Sequence, residues 1–531
     1  MKRAFPLVLF IFFTVSPALP RDDYTGLAAF DAIHYVINIE INGTADSIKG
    51  KTRILLDCRE SGAKQLSLDF PGLTVDRVRV NETDASFTRG RGRVVIPLSR
   101  DYGAGERFWV EVNYQGQPKD GLFIKKNKFG NRTVFADNWP DRARHWFPAI
   151  DHPSDKATVE FFVTAPSGYD VIANGALVET TNRLDGTKLT HWRESVPIPT
   201  YCMVIGAAEF SIINMGKSND VQLSYYLYPQ DREQGVKDLG RALQMMEFYT
   251  GLIGPYPYEK LALVQSSTRF GGMENSSSIF FDEKAFDGSG RLEATVAHEI
   301  AHQWFGDSVT EADWHDLWLS EGFATYFENL FFERADGRDR FVSKMLADKD
   351  RYLKAYGENV KPIFDPSIKD LFQLLNRNNY EKGGWVLHML RRVMGDDKFF
   401  AGVRDYYRTH RDRNASTEDL RKIMEFHAGR PLDWFFRQWI FEAGHPVYEA
   451  SWRWDDSAKE MTLKVRQKQS GTLFKMPLDV EIDLGGTKRR EVIEMKDREQ
   501  TVTLKLDAKP AGVSIDPDEW VLKVATVAEE K

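Results

Sequence analysis

The stretch Glu293-Ala-Thr-Val-Ala-His-Glu-Ile-Ala-His-Gln-Trp-Phe-Gly306 carries the reading of this chain. It contains H-E-x-x-H, with His298, Glu299 and His302. On a helix, residues four apart are offset by about 40° around the axis, so both imidazoles share one face. That spacing suits two ligands of a tetrahedral Zn²⁺, with Zn–N bonds of about 2.0–2.1 Å. Glu299 stands on the same side, where a carboxylate reaches an activated water without ligating the ion. Downstream, Trp314-His-Asp-Leu-Trp-Leu-Ser-Glu-Gly-Phe-Ala-Thr-Tyr-Phe-Glu328 reads as the start of a second helix, and its Glu321 follows His302 after eighteen residues. A helix, a turn near residues 306–313 and an antiparallel helix bring that carboxylate back to the histidines. The expected site is His₂Glu with an open fourth position, the arrangement of a catalytic zinc, one per chain.

Working outward, 531 residues are too many for one core and predict several domains. The chain is 42% hydrophobic and 28% charged with a formal net charge of −7, which argues against nucleic-acid binding. The basic run Lys488-Arg489-Arg490 is short and reads as a solvated hairpin tip. Met1-Lys2-Arg3, the apolar run Ala4–Val15 and the small residues of Ser16-Pro-Ala18 have the pattern of an export signal within residues 1–20. About a dozen apolar residues are too few to span a bilayer, so the expectation is a soluble protein, periplasmic or secreted. Cys58 and Cys202 are the only cysteines. Both lie in apolar strand-like runs and read as small buried hydrophobes, although one bridge is open to them. Sequons stand at Asn42, Asn81, Asn131, Asn275 and Asn414.

The fold class expected is a multidomain α+β chain. Residues 21–215 alternate with period two, as in Tyr35, Ile37, Ile39 and Ile41, and predict an antiparallel β domain. Residues 216–445 predict a thermolysin-like mixed α/β catalytic domain, opening with one helix over 231–252. Further helices are expected near 340–356, 380–395, 397–411, 417–427 and 431–442. Residues 446–531 return to period two, with a Gly485-Gly486 hairpin signal, and predict a small β-sandwich.

Several blocks in order resemble the aminopeptidase N family of zinc gluzincins, which includes the leukotriene-hydrolase branch. Arg144-His-Trp-Phe-Pro-Ala-Ile-Asp-His-Pro-Ser-Asp-Lys-Ala157 resembles its R-x-x-F-P-x-x-D-x-P-x-x-K-A segment. Gly271-Gly-Met-Glu-Asn275 resembles its G-x-M-E-N loop, 298–307 and 314–324 its zinc blocks, and Asn379-Tyr-Glu-Lys-Gly383 its Y-x-K-G segment. The resemblance implies an exopeptidase acting on peptides with a free N-terminus. Gly271, Gly272, Met273, Glu274 and Asn275 would bind substrate, with Glu274 holding the α-amine. It also implies that Tyr380 stabilises the oxyanion while Glu299 acts as general base. Ser320, His315 and His152 depart from the usual residues, and the upstream residue that helps hold the amine falls near Asp137 or Asn138. Many family members carry a long helical C-terminal domain over the site, so a chain ending in the sandwich implies a more open one. An endopeptidase, an epoxide hydrolase and a silent binding protein remain the rival readings.

Overall fold

The computed structural model describes Tyr24 and residues 29–356 and 361–530. The expected export signal lies outside the described residues. The first unit is built on an eight-stranded sheet. Its inner strand Phe30–Ile41 buries Phe30, Tyr35, Ile37, Ile39 and Ile41 and turns smaller or polar residues outward. This strand pairs antiparallel with Ile48–Cys58 on one side. On the other it pairs parallel with Lys156–Pro166, Tyr35 opposite Val159. The sequence pattern predicts antiparallel pairing throughout, but alternation reports only which face is buried and carries no strand direction. More than a hundred residues intervene before the parallel partner arrives, which is ample for a crossover.

The second unit opens with a five-stranded sheet in the order Ser211–Ser218, Val221–Leu227, Lys260–Ser266, Ser278–Asp282, Gly272–Met273. Its first strand runs across residue 215, so this sheet starts at Ser211. Gly272–Met273 is the outermost strand, antiparallel to Ser278–Asp282. The single helix expected over 231–252 is two helices, Arg232–Asp238 and Ala242–Leu252. They break around Gly240, where a flexible residue weakens the helix. Gly235 permits the close approach to the sheet, since a Cβ there would lie 2.6 Å from Leu227 Cδ1.

The H-E-x-x-H helix runs Glu293–His302. The segment from Trp314 begins with one 3₁₀ turn, Trp314–Asp316, started by the Asp313 side chain accepting from His315 N. The long helix Trp318–Asp336 follows. Helices Arg338–Tyr356, Gly383–Met394, Asp396–His410 and Thr417–Ala428 close the unit. Thr417–Ala428 is opened by a Ser416/Asp419 capping box.

The last unit is a sandwich of a four-stranded and a three-stranded sheet. Met461, Leu463 and Val465 on one sheet and Leu478, Val480 and Ile482 on the other are buried. It docks on the helices through His388, whose Nε2 lies 3.1 Å from Glu519 O and whose ring stacks on Trp520 at 4.5 Å. Lys488-Arg489-Arg490 is exposed beyond the Gly485-Gly486 turn and pairs with Glu481, Glu491 and Asp518. Cys58 and Cys202 are both free and buried. Among the described residues no helix is long and apolar enough to cross a membrane.

Candidate metal centre

The two helices that carry the motif pack directly against each other. His298 Nε2 and His302 Nε2 stand 3.1 Å apart, and Glu321 Oε2 is 3.3 Å from each. A tetrahedral ion with bonds of about 2.0 Å has ligand atoms about 3.3 Å apart, so this triangle is one face of such a site. The charge distribution agrees with the geometry. Burial pushes the Glu321 carboxyl up, but the two imidazoles outweigh it and hold it at about 2. Burial disfavours an imidazolium at His298, yet the Glu321 and Glu328 carboxylates hold its pKa well above the usual histidine value. The cluster thus favours positive charge at its centre, which a divalent cation supplies.

Outer contacts orient the ligands. His302 Nδ1 faces Phe305 O at 3.1 Å and Ser320 Oγ at 3.0 Å, leaving Nε2 for the metal. Gly306 is required here: its φ is +118°, and a Cβ would sit 2.3 Å from Ser320 Oγ. His298 Nδ1 lies 3.5 Å from Glu328 Oε2, and the other Glu328 oxygen accepts from Lys344 Nζ at 2.6 Å. Sequence reasoning missed Glu328, although it stands seven residues, two helical turns, beyond Glu321 on the same face.

The remaining machinery surrounds the triangle. Glu299 is 6% exposed, and burial raises its carboxyl to about 8. The edge strand lies against it, and a Cβ on Gly272 would meet Glu299 Oε1 at 2.2 Å. Glu274 follows that strand, is 6% exposed, and is also raised by burial. Gln303, just past the motif helix, holds the loop by donating to Glu274 O at 2.7 Å and Asp307 Oδ2 at 2.8 Å.

Tyr380 arrives on a π-helical turn, Asn378–Lys382, that leads into helix Gly383–Met394. This turn can approach the Glu321 helix because glycines meet there: a Cβ on Gly322 would lie 2.9 Å from Gly383 Cα. Tyr380 Oη then donates to Glu321 Oε1 at 2.8 Å. Burial and the neighbouring carboxylates push the phenol's pKa up, so it remains a donor.

These groups line one small cavity of about 80 Å³. Its walls hold His298, Glu299, His302, Glu321, Tyr380, Gly272, Met273 and Glu274, together with Trp139, Phe270 and Leu375, which sequence reasoning did not single out. Gly271 and Asn275 stand outside that lining. Asn275 is fully buried and donates to Met273 O at 3.4 Å, so it shapes the loop and its sequon is inaccessible in the folded chain. Asp137 and Asn138, expected near the amine, stand outside the cavity lining. Asp137 pairs with Arg142 and, at 3.7 Å, with Arg269 beside the edge-strand loop, and Asn138 bonds Trp146 Nε1 at 2.8 Å and Met203 O at 2.7 Å. Trp139 reaches the cavity. His315 is held by Asp313 at 2.7 Å and Ile368 O at 3.0 Å, away from the cluster.

Comparison with known proteins agrees with this geometry. Residues 238–439 match the peptidase family M1 domain, and residues 31–202 match the peptidase M1 N-terminal domain. The chain belongs to peptidase family M1.

M1 relatives include the Tricorn protease-interacting factor F2 of Thermoplasma acidophilum. It is 30% identical over 72% of this chain and 50% of its own length. Probable aminopeptidase 1 of Saccharolobus solfataricus is 27% identical over 92% of this chain and 61% of its own. The chain thus spans between half and about three-fifths of these relatives. The crystal structure of an M1 zinc metallopeptidase from Deinococcus radiodurans superposes with a TM-score of 0.68 at 25% identity. That match covers 79% of this chain and 95% of that one. Zinc is the metal of the M1 family, and His298, His302 and Glu321 are the cluster that fits it.

Proposed function

We propose that this protein is a zinc aminopeptidase that hydrolyses the bond after the first residue of peptides with a free N-terminus. The observation that carries the reading is Glu274. It is a buried carboxylate on the loop beside the metal triangle, and among the described residues no lysine or arginine pairs with it. A substrate ammonium completes it, and a charge-assisted contact of this kind fixes the first peptide carbonyl relative to the cluster. His298, His302 and Glu321 would hold the zinc, which when bound would supply a Lewis acid for the carbonyl and for water.

The chain's own groups perform the rest. Glu299 accepts the proton of the attacking water on its carboxylate and passes it to the departing amine. Burial raises its carboxyl to about 8, and a cation on the neighbouring ligands would draw it down into the range where a carboxylate accepts a proton near neutrality. Tyr380 Oη, now on Glu321 Oε1, turns to donate to the carbonyl oxygen as charge develops there. Trp139, Phe270, Met273 and Leu375 give the first side chain an apolar surround and favour apolar first residues.

The test compares leucine p-nitroanilide with its N-acetyl form, using Glu299→Ala as control. Cleavage of the free-amine substrate alone, lost in the variant and with chelator, supports the proposal. Cleavage of both forms would remove Glu274 as an amine anchor and put an endopeptidase in its place.

A further inference from the structure

A second cavity, of about 360 Å³, opens on the far side of Tyr380. Leu375 and Tyr380 belong to the walls of both cavities, so the two spaces lie on either side of the proposed oxyanion donor. The metal-side cavity is much the smaller, and Glu274, Met273, Trp139 and Phe270 occupy the side where the first residue lies. If the amine sits on Glu274 and the first carbonyl at Tyr380, the chain beyond the cleaved bond has to continue past Tyr380. The second cavity starts there, and its volume is within the range of clefts that hold small ligands, about 300–1,000 Å³.

Its walls mix aromatic and aliphatic surface with side-chain amides and one guanidinium. Tyr352 and Tyr356 come from the end of helix Arg338–Tyr356, and Asn376, Arg377 and Asn378 come from the segment before the π turn. Among the described residues, Arg377 is the only charged side chain in this lining. Its side chain is 53% exposed and spends one nitrogen, Nη1, on Glu381 Oε1 at 2.7 Å. Glu381 is shared, since Arg351 Nε also donates to it at 2.9 Å. The rest of the Arg377 fork meets no acceptor among the described residues, and a guanidinium fork matches a carboxylate.

We propose that this cavity is the subsite for the leaving part of the substrate, and that Arg377 binds the C-terminal carboxylate of short peptides there. The inference rests on the aminopeptidase reading and adds a substrate class to it, peptides short enough for their own C-terminus to reach Arg377. Longer or C-terminally blocked peptides enter the same cavity without that contact.

The experiment uses the zinc-loaded full chain with leucyl-alanyl-alanine as free acid and as C-terminal amide. The quantity read is the ratio of kcat/KM for acid over amide within each protein, which cancels any general effect on folding or chemistry. In the wild type this ratio exceeds one. In Arg377→Gln it falls about tenfold, through KM, as expected for one partly exposed charge-assisted contact. Arg377→Lys, which keeps the charge but loses the fork, retains only part of the preference. An unchanged ratio in Arg377→Gln, with both peptides still cleaved, overturns the inference and leaves the aminopeptidase reading in place. An equal loss on both peptides also overturns it, because it assigns Arg377 to positioning Tyr380 through Glu381. If the wild type cleaves neither peptide, the aminopeptidase reading falls and this subsite falls with it.

Discussion

Replacing Gly272 by alanine tests whether the edge strand and the general base are as closely fitted as the structure has them. An alanine Cβ at this position would lie 2.2 Å from Glu299 Oε1, 2.5 Å from Cδ and 2.6 Å from Cγ. Ordinary contact begins near 3.4 Å, so the carboxylate or the strand has to move by about 1 Å. The backbone at Gly272 is not in the left-handed region, so alanine adds no φ strain and the effect is steric. Glu299 is held on the buried face of its helix, so a carboxylate displaced by the new methyl swings into the cavity and off the metal triangle. Misplacing a reacting group by about 1 Å costs on the order of 10²-fold in rate, equivalent to about 2.7 kcal/mol in the barrier. The expected result for Gly272→Ala is a kcat on leucine p-nitroanilide lowered about a hundredfold with stoichiometric zinc, because no metal ligand is touched. Gly271→Ala is the control, since a Cβ there meets nothing within 4 Å, and its kcat should stay within about threefold of wild type. A Gly272→Ala enzyme as active as the control would refute the packing of Glu299 against the strand.

Tyr380→Phe removes the phenol that now donates to Glu321. It should lower kcat by about 10²–10³ with KM nearly unchanged, and a comparable loss in KM instead would make Tyr380 a binding residue. His388 predicts an acid-sensitive docking of the C-terminal sandwich. Burial, followed by the nearby Arg338 and Arg391 charges, holds its pKa down at about 3. The unfolded chain therefore takes up this proton below about pH 6.5 while the folded chain does not. Stability falls as pH drops from about 6.5 toward 3, by up to about 1.4 kcal/mol per unit. His388→Gln should flatten that loss, read as a smaller gap between urea midpoints at pH 7 and pH 5; an unchanged gap would place the acid sensitivity elsewhere.

The metal ligands were legible because their spacing is a local property. His298 and His302 share a face by helix geometry alone, and a turn between two helices suffices to return Glu321 to them. The apolar periods likewise marked the strand-rich ends and the helical middle. They could not say that Phe30–Ile41 takes a parallel partner, since alternation names a buried face and not a neighbour. Nor could they show the break at Gly240, where packing of Gly235 onto Leu227 sets the helix position.

What only the tertiary structure decided is the wall opposite the metal. Tyr380 touches Glu321 across 59 residues of sequence. That contact depends on two backbones meeting at Gly322 and Gly383, where a side chain on either would hold them apart. Trp139 reaches the cavity from the β domain, while its neighbour Asn138 is bonded to Trp146 and Met203 within that domain. The ligand set follows from covalent spacing along one helix and the start of the next. The shape that selects a substrate follows from long-range packing, in which each position is set by partners that lie far away along the chain.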